Sequence, residues 1–275
     1  MNIIARWLQS VRLIAGEEAA VLVAFVQLWE QRLLIGGTRN MSKLRLKITK
    51  GEELRFISHL DYVRAITRAV RRAKLPAAYS EGFNPHMKVA FASALAVGVT
   101  SDAEYMDLDM EEQIEPSEVI ARLNAVLPPG IQVREAGYVD ERAAALMAVV
   151  DQTDYQILIP VTGAFSVADA QMSLTRFAEM EKVVYVRHSP KGKRFIDLKQ
   201  YIAHPLEMEN TPQTVQLSLS IKMTSGGSVK PSEILDVLVS DFGFPVQSQT
   251  ALIHRTALWA AADGKQVSPL ALEQP

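Results

Sequence analysis

The 275-residue chain is 48% hydrophobic and 22% charged, enough to bury one large core or two small ones, which excludes intrinsic disorder and gives no membrane signal. A formal net charge of −2 excludes a whole-molecule field that recruits nucleic acid, so such binding has to come from a local patch. Without cysteine the chain can form no disulfide, thiolate zinc site, thiol nucleophile or cysteine-ligated iron–sulfur cluster, and its five histidines lack H-x-x-x-H and H-E-x-x-H spacing. No metal and no cofactor are expected, and a cytoplasmic location is.

Residues 1–40 read differently from the rest. Ile14 to Glu30 is apolar but carries Glu17, Glu18 and Glu30, too short and too charged to span a bilayer. Arg6 and Arg12 suit a signal peptide, yet no small-residue cleavage site follows. After the turn-rich Gly36-Gly37-Thr38-Arg39-Asn40, Met41 opens a clean strand pattern. Met41 is therefore expected to be the biological start and residues 1–40 an extension from an upstream start; the competing reading is an amphipathic helix that docks on the body or on a partner.

In the body, Leu44, Leu46 and Ile48 alternate with polar residues as in a half-buried strand. Lys50 to Glu53 turns the chain, and Ser58 caps a helix expected to run to about Lys74, ahead of Pro76. Strands follow at Lys88 to Phe91 and Glu104 to Met110. A helix from Pro116 to Val126 ends at Pro128-Pro129-Gly130, before a strand at Ile131 to Ala136. The order βαββαβ is that of a ferredoxin-like unit. Asp140 to Val150 reads as a short helix or linker. The second half repeats the alternation more loosely, with strands at Tyr155 to Val161, Val183 to Arg187, Val215 to Met223 and Gln249 to Arg255 and helices at Val167 to Met180 and Pro231 to Phe242. The expected fold is α+β: two ferredoxin-like units with antiparallel sheets at residues 41–150 and 151–260, after an extension at 1–40 and before a frayed tail at 261–275.

Four islands carry the candidate chemistry. At 100° per residue, the helix after Ser58 puts Leu60, Val63, Ile66, Val70 and Ala73 on a core stripe and Arg64, Arg68, Arg71 and Arg72 on the arc beside it. Guanidinium forks suit phosphate, although a solvated helix face paired with carboxylates is the plain alternative. Ser58, His59 and Asp61 are triad types, but neighbours at a helix start point apart and do not align as a triad; capping explains Ser58, and a packed or second-layer role explains His59. In the second island, Tyr79 to Lys88, Gly82 and Asn84-Pro85 dictate an irregular loop. Phe83 and Tyr79 suit stacking on a base there, or Phe83 a plug in the core, while His86 and Lys88 suit phosphate. The third is the basic turn Arg187 to Arg194, with Lys191, Lys193 and Arg194, which is either a phosphate-binding hairpin tip or a solubilising loop. The fourth, Ser225 to Ser232, opens a helix with glycines and Lys230 and can hold an anion, but lacks P-loop spacing.

These islands resemble the radical-SAM-associated protein family, a domain of unknown function found alone or fused to the C-terminus of cobalamin-binding-type radical SAM proteins. The resemblance runs through Lys50-Gly51, Arg55-Phe56-Ile57-Ser58-His59-Leu60-Asp61, Arg71-Arg72, Ser80-Glu81-Gly82-Phe83-Asn84-Pro85-His86, Gly98, Ser101, Glu104-Tyr105, Lys191-Gly192 and Asp197-Leu198, and covers Met41 to about Leu258. Met87 departs from the pattern, where proline is expected. The resemblance implies no activity of its own but a radical SAM protein as partner, acting on tRNA or rRNA that this chain presents. The expected RNA-binding residues are Arg55, Arg64, Arg68, Arg71, Arg72, Asn84, His86, Lys88, Lys191, Lys193 and Arg194, with Gly82, Phe83 and Pro85 shaping the loop. The alternatives are a metal-independent RNA-processing or transferase enzyme using His59 or His86, and a pure protein-docking module.

Overall fold

A computed structural model describes residues 42–140, 142–161, 165–190, 192–224, 226–262 and 264–272. Residues 1–40, with the start-site and docking-helix readings, lie outside the described residues, as do Lys191 and Ser225.

The protein is mixed α+β, with a mostly antiparallel sheet and five α-helices among the described residues. The first half runs β1 (Ser42–Lys50), α1 (His59–Arg72), β2 (Val89–Phe91), β3 (Val99–Met110), α2 (Pro116–Asn124) and β4 (Val133–Val139). The second runs α3 (Leu146–Val149), β5 (Val150–Pro160), α4 (Val167–Glu179), β6 (Val184–Ser189), β7 (Gly192–Asp197), β8 (Glu207–Asn210), β9 (Thr214–Lys222), α5 (Pro231–Phe242), β10 (Leu252–Ala262) and β11 (Lys265–Val267). No helix among the described residues is long and apolar enough to cross a membrane.

Instead of two separate sheets there is one, ordered β4-β1-β3-β10-β5-β9-β8, with β2 added to β3 and β11 to β10; β6 and β7 form a hairpin of their own. Among the described residues every strand pairing is antiparallel except β3 with β10, where Val99, Thr100 and Ser101 face Ile253, His254 and Arg255 in parallel. Leu44, Leu46 and Ile48 of β1 and Met106 and Leu108 of β3 pack under α1 and α2, against Ile66, Val70, Val119 and Leu123. Ile157 of β5 and Leu217 and Leu219 of β9 pack under α4 and α5, against Leu174, Phe177, Ile234 and Leu238. Residues directly opposed in a sheet share a face. Glu104 opposes Ile48 and Arg255 opposes Tyr155, so the two cores meet on one face along the Glu104–Arg255 line. The other face is covered by Leu146, Leu258 and Leu270 around Tyr105.

Helix ends follow local chemistry. Ser58 Oγ accepts the Asp61 N–H at 3.2 Å, and α1 stops where Lys74 takes φ 53° ahead of Pro76. Helix α5 starts on Pro231 and ends at Gly243, whose φ of 71° suits a residue without Cβ.

Several expectations are corrected. Leu60 is 65% exposed, so the buried stripe of α1 is Tyr62, Ile66, Ala69 and Val70. The Tyr62 hydroxyl donates to the Thr49 carbonyl at 2.9 Å, which fixes the roll of the helix and turns its first apolar residue outward. Strands β7 and β8 are not among the expected strands, although the hairpin-tip reading of the basic turn implies the first: β7 is mostly exposed and basic, and β8 is a short acidic edge strand. Strand β10 starts at Leu252 because residues 248–250 form a 3-10 turn, and it runs on to Ala262. The tail expected to fray is ordered through residue 272: Arg45, buried and paired with Asp107 at 2.7 and 3.0 Å, donates to the Pro269 carbonyl at 2.8 Å, and Leu270 is buried.

At the seam, Arg255 donates to Glu104 at 2.8 Å, to Ser93 Oγ at 3.0 Å and to the Tyr155 hydroxyl at 2.9 Å, all but hidden from solvent. Removing one member of such a pair leaves a buried charge uncompensated. We expect Arg255→Met to lower unfolding free energy by roughly 3–5 kcal/mol, and Arg255→Met with Glu104→Gln to recover part of that loss, as measured by urea denaturation. His59 lies beside this pair, its ring edge-on to Phe91 at 5.4 Å and its Nδ1 buried without a hydrogen-bond partner. Burial lowers the His59 pKa, Glu104 opposes the shift, and Lys50 and Arg255 add to it. The unfolded chain therefore takes up the proton first, and the contribution of His59 to stability, complete above its ordinary value of 6.5, declines as pH falls below it. His59→Gln should flatten the pH dependence of the urea midpoint in that range; an unchanged profile would refute the assignment.

Candidate nucleic-acid interface

Helix α1 carries its arginines at 64, 68, 71 and 72, steps of three and four that keep them along one edge, and all four are exposed. Their commitments differ. Arg64 reaches Asp61 at 3.1 Å with both side chains more than half exposed, an ion pair weak enough to exchange for a phosphate. The Ser58 hydroxyl, then Arg64, hold the Asp61 carboxyl below its ordinary value. The Arg68 guanidinium makes no hydrogen bond among the described residues and acts on Asp61 only through its charge. The Arg71 Nε donates to the Tyr79 hydroxyl at 3.2 Å, with the guanidinium 5.8 Å from the ring centre. Arg72 donates to the Val126 carbonyl at 2.7 Å and so ties α1 to the end of α2.

Tyr79 opens the second island, which the structure makes a β-tongue. Tyr79 bridges to Met87, the Ser80 N–H donates to the His86 carbonyl at 2.8 Å, and the His86 N–H returns to Ser80 Oγ at 3.0 Å. Gly82, at φ 121°, turns the tip. Phe83 is fully exposed there, which removes the core-plug reading, while Met87 is buried and supplies the plug. Asn84, Pro85 and His86 are exposed, and Lys88 runs back along the tongue through its N–H to the Ala78 carbonyl at 2.9 Å. His86 Nδ1 is 3.2 Å from the Asn84 carbonyl and so meets only its own loop. The Arg71–Tyr79 contact joins this tongue to the arginine edge of α1.

The basic turn belongs elsewhere. It is the β6–β7 hairpin, and it docks on the segment leading into α5: Arg187 pairs with Glu233 at 2.7 and 2.6 Å and reaches the Ser228 carbonyl at 3.1 Å, while Arg194 donates to the Gly226 carbonyl at 3.0 Å. Lys193 is exposed. The amino end of α5, expected to hold an anion, is occupied by the protein's own carboxylate: Glu233 accepts the Lys230 N–H at 2.8 Å. Arg187 and Glu233 are far apart in sequence, and no local signal announces their pairing.

At the other end of α1, Arg55 is held by both ends of its residue. Its guanidinium donates to the Gly98 carbonyl and to Glu52, each at 3.2 Å, and its carbonyl accepts from the Gly98 N–H at 2.7 Å and from Lys50 Nζ at 3.0 Å. Burial lowers the Lys50 pKa, which Glu104 opposes and Arg55 reinforces. The Arg55 guanidinium lies 5.0 Å from the Phe56 ring centre, and Phe56 is 74% exposed; Leu60 and Val97 are exposed as well. Sequence reasoning gave none of these three a surface role: Leu60 reads as core, Phe56 enters only in the motif that carries the family resemblance, and Val97 has no signal. Ser58 donates to Asp61 at 2.7 Å while His59 turns to Phe91, so the triad types do not converge. No group of three His, Asp or Glu among the described residues is placed to hold a metal ion.

No curated protein sequence matches the chain. Among solved structures it is similar to a chain of a Cbf5–Nop10–Gar1 complex, with a TM-score of 0.45, 11% identity, and coverage of 80% of this chain and 49% of that one. A chain of the archaeal box H/ACA sRNP Nop10–Cbf5 complex gives a TM-score of 0.37 at 11% identity, with 79% and 46% covered. The protein thus spans about half the length of the solved chains it matches. The family model for an uncharacterized protein conserved in bacteria, DUF2344, matches residues 43–231, well over half of the sequence, and the chain belongs to that family.

Proposed function

We propose that the protein binds an unpaired stretch of RNA along the arginine edge of α1 and the β-tongue, and presents it to a modifying enzyme. The observation that carries this reading is the Arg71–Tyr79 contact, which sets exposed guanidinium groups beside an exposed tongue bearing Phe83. Cations for the phosphate backbone next to aromatic faces for bases are what single-stranded recognition needs. Arg64, Arg68 and Arg71 serve phosphates, Phe83 stacks, and Asn84, His86 and Lys88 flank it. Lys193 is set on a different hairpin and serves at most an outlying contact, and Arg72 and Arg194 are held on carbonyl groups.

The resemblance to the radical-SAM-associated family supplies the partner class: a radical SAM protein in the cytoplasm that acts on tRNA or rRNA and brings the cluster this cysteine-free chain cannot ligate. The repeated strand orders β4-β1-β3-β2 and β10-β5-β9-β8 support two ferredoxin-like units as the scaffold. The enzyme alternative draws less support. His59 packs against Phe91 with its Nδ1 unpartnered, and the contact that orients His86 is a carbonyl of its own exposed loop, outside the pocket lined by Arg55 and Arg255.

Fluorescence anisotropy with an unstructured RNA over a salt series tests the proposal. Arg64→Ala with Arg68→Ala and Arg71→Ala should weaken binding and lower the slope of log K against log salt by about 0.7 for each phosphate no longer neutralised. Phe83→Ala should cost roughly 1–3 kcal/mol of binding with the slope unchanged. Equal affinity and slope in folded variants would refute the assignment.

A further inference from the structure

Where β3 meets β10 the two helical layers part, and a cleft of about 760 Å3 opens between residues 93–99 and the segment 228–236, within the usual size of a ligand pocket. Its sides are apolar, from Leu95, Val99, Leu235 and Ile253. Its charges are largely balanced: of the cations that line it, Arg187 is neutralised by Glu233 and Arg255 by Glu104, and Arg55 is paired with Glu52 on its solvent side. Lys230 and Asp236, both exposed, oppose each other in sign at the rim. A multiply charged anion finds no net field there, whereas a flat ring with apolar faces and a polar edge finds both surfaces it needs.

One donor in the wall is unsatisfied: the Arg55 Nε–H is buried and has no hydrogen-bond partner. The Arg55–Glu52 pair faces solvent and is weak, so a guanidinium that swings off Glu52 can turn this covered donor to an acceptor atom on the edge of a bound ring, and the Asp236 carboxylate can accept from a ring or exocyclic N–H. Arg55 also stacks on exposed Phe56 beside the start of α1, so the cleft lies at one end of the proposed RNA path and the tongue at the other. Helix α1 spans 14 residues, about 21 Å between these ends at a rise of 1.5 Å per residue.

We propose that the cleft receives one unstacked nucleobase of the bound RNA, with Arg55 Nε and Asp236 reading its polar edge. This assignment rests on the RNA reading above. Photocrosslinking of the full-length protein with an unstructured RNA carrying single 4-thiouridines, followed by mass mapping of the crosslinked peptides, tests it. The expected result is crosslinks within residues 93–99 or 228–236 in addition to crosslinks in the tongue. Ala96→Trp, an exposed wall residue, should block the cleft, abolish those crosslinks, spare the tongue crosslinks and weaken binding about tenfold, the value of one stacked base. Arg55→Lys keeps the charge but loses Nε, and should reduce the cleft crosslinks with an unchanged salt slope. Tongue crosslinks without cleft crosslinks, or cleft crosslinks that survive Ala96→Trp, would overturn the cleft assignment and leave RNA binding standing. Absence of RNA binding in the wild-type protein would overturn both.

Discussion

The Glu104–Arg255 ion pair is the constraint on which the rest of the arrangement depends. It closes the one parallel joint in the sheet, where only three residues of β3 face three of β10. Parallel pairing is slightly weaker per residue than antiparallel, and so short a ladder defines its register poorly on backbone bonds alone. The pair defines it with side chains. A buried ion pair recovers its desolvation penalty only with good geometry and further hydrogen bonds, which Tyr155 and Ser93 supply here. A slip of one residue would leave both charges buried and apart.

That joint also sets what the surface offers. With the two halves tied through β3 and β10, their helical layers sit side by side with a gap between them, and the gap is the cleft. Lys50, at the end of β1, donates to the carbonyls of Arg55 and Ile57 at 3.0 and 3.4 Å and thereby fixes the chain that enters α1. The exposed arginine edge, the Arg55–Phe56 stack and the tongue all follow from where that helix begins and how it is rolled. A chain with almost no net charge thus presents concentrated cations on one edge because its charges are unevenly placed, while Arg45, Arg187 and Arg255 are each neutralised by a carboxylate of their own.

How much of this the sequence announces depends on how local each cause is. Ser58 as a cap, Pro231 to Phe242 as a helix and Leu44 to Ile48 as a strand are set by neighbours a few residues away and stand as read, but that strand is covered on both faces, with Arg45 and Thr49 buried, and not half-buried as its alternation suggests. The edge of exposed arginines on α1 was legible for the same reason. Leu60 was not: helical periodicity gives the angle between residues but not which arc meets the sheet, and that arc is chosen by Tyr62 reaching Thr49. The ordered tail was hidden because its anchor is a backbone carbonyl taken by Arg45, more than two hundred residues earlier. The cleft was hidden for a similar reason, since its walls are drawn from both halves.

Residue types that look catalytic illustrate the same point from the other side. Thr100, His254 and Asp102 form a hydroxyl–imidazole–carboxylate chain, with contacts of 2.8 and 3.0 Å. Their geometry is closer to a relay than anything near His59. Yet Thr100 is buried in the joint, directly opposite His254 across the parallel pairing, and its hydroxyl has a second acceptor in the Ile253 carbonyl. His254 and Arg255 are consecutive in an extended strand and so point to opposite faces, which puts this chain on the side of the sheet away from the cleft. A nucleophile needs an approach path for a substrate carbon, and Thr100 is all but hidden from solvent, its hydroxyl held against His254 on the sheet face. The chain is better understood as the counterpart of Glu104–Arg255: one lock on each face of a joint too short to hold its own register.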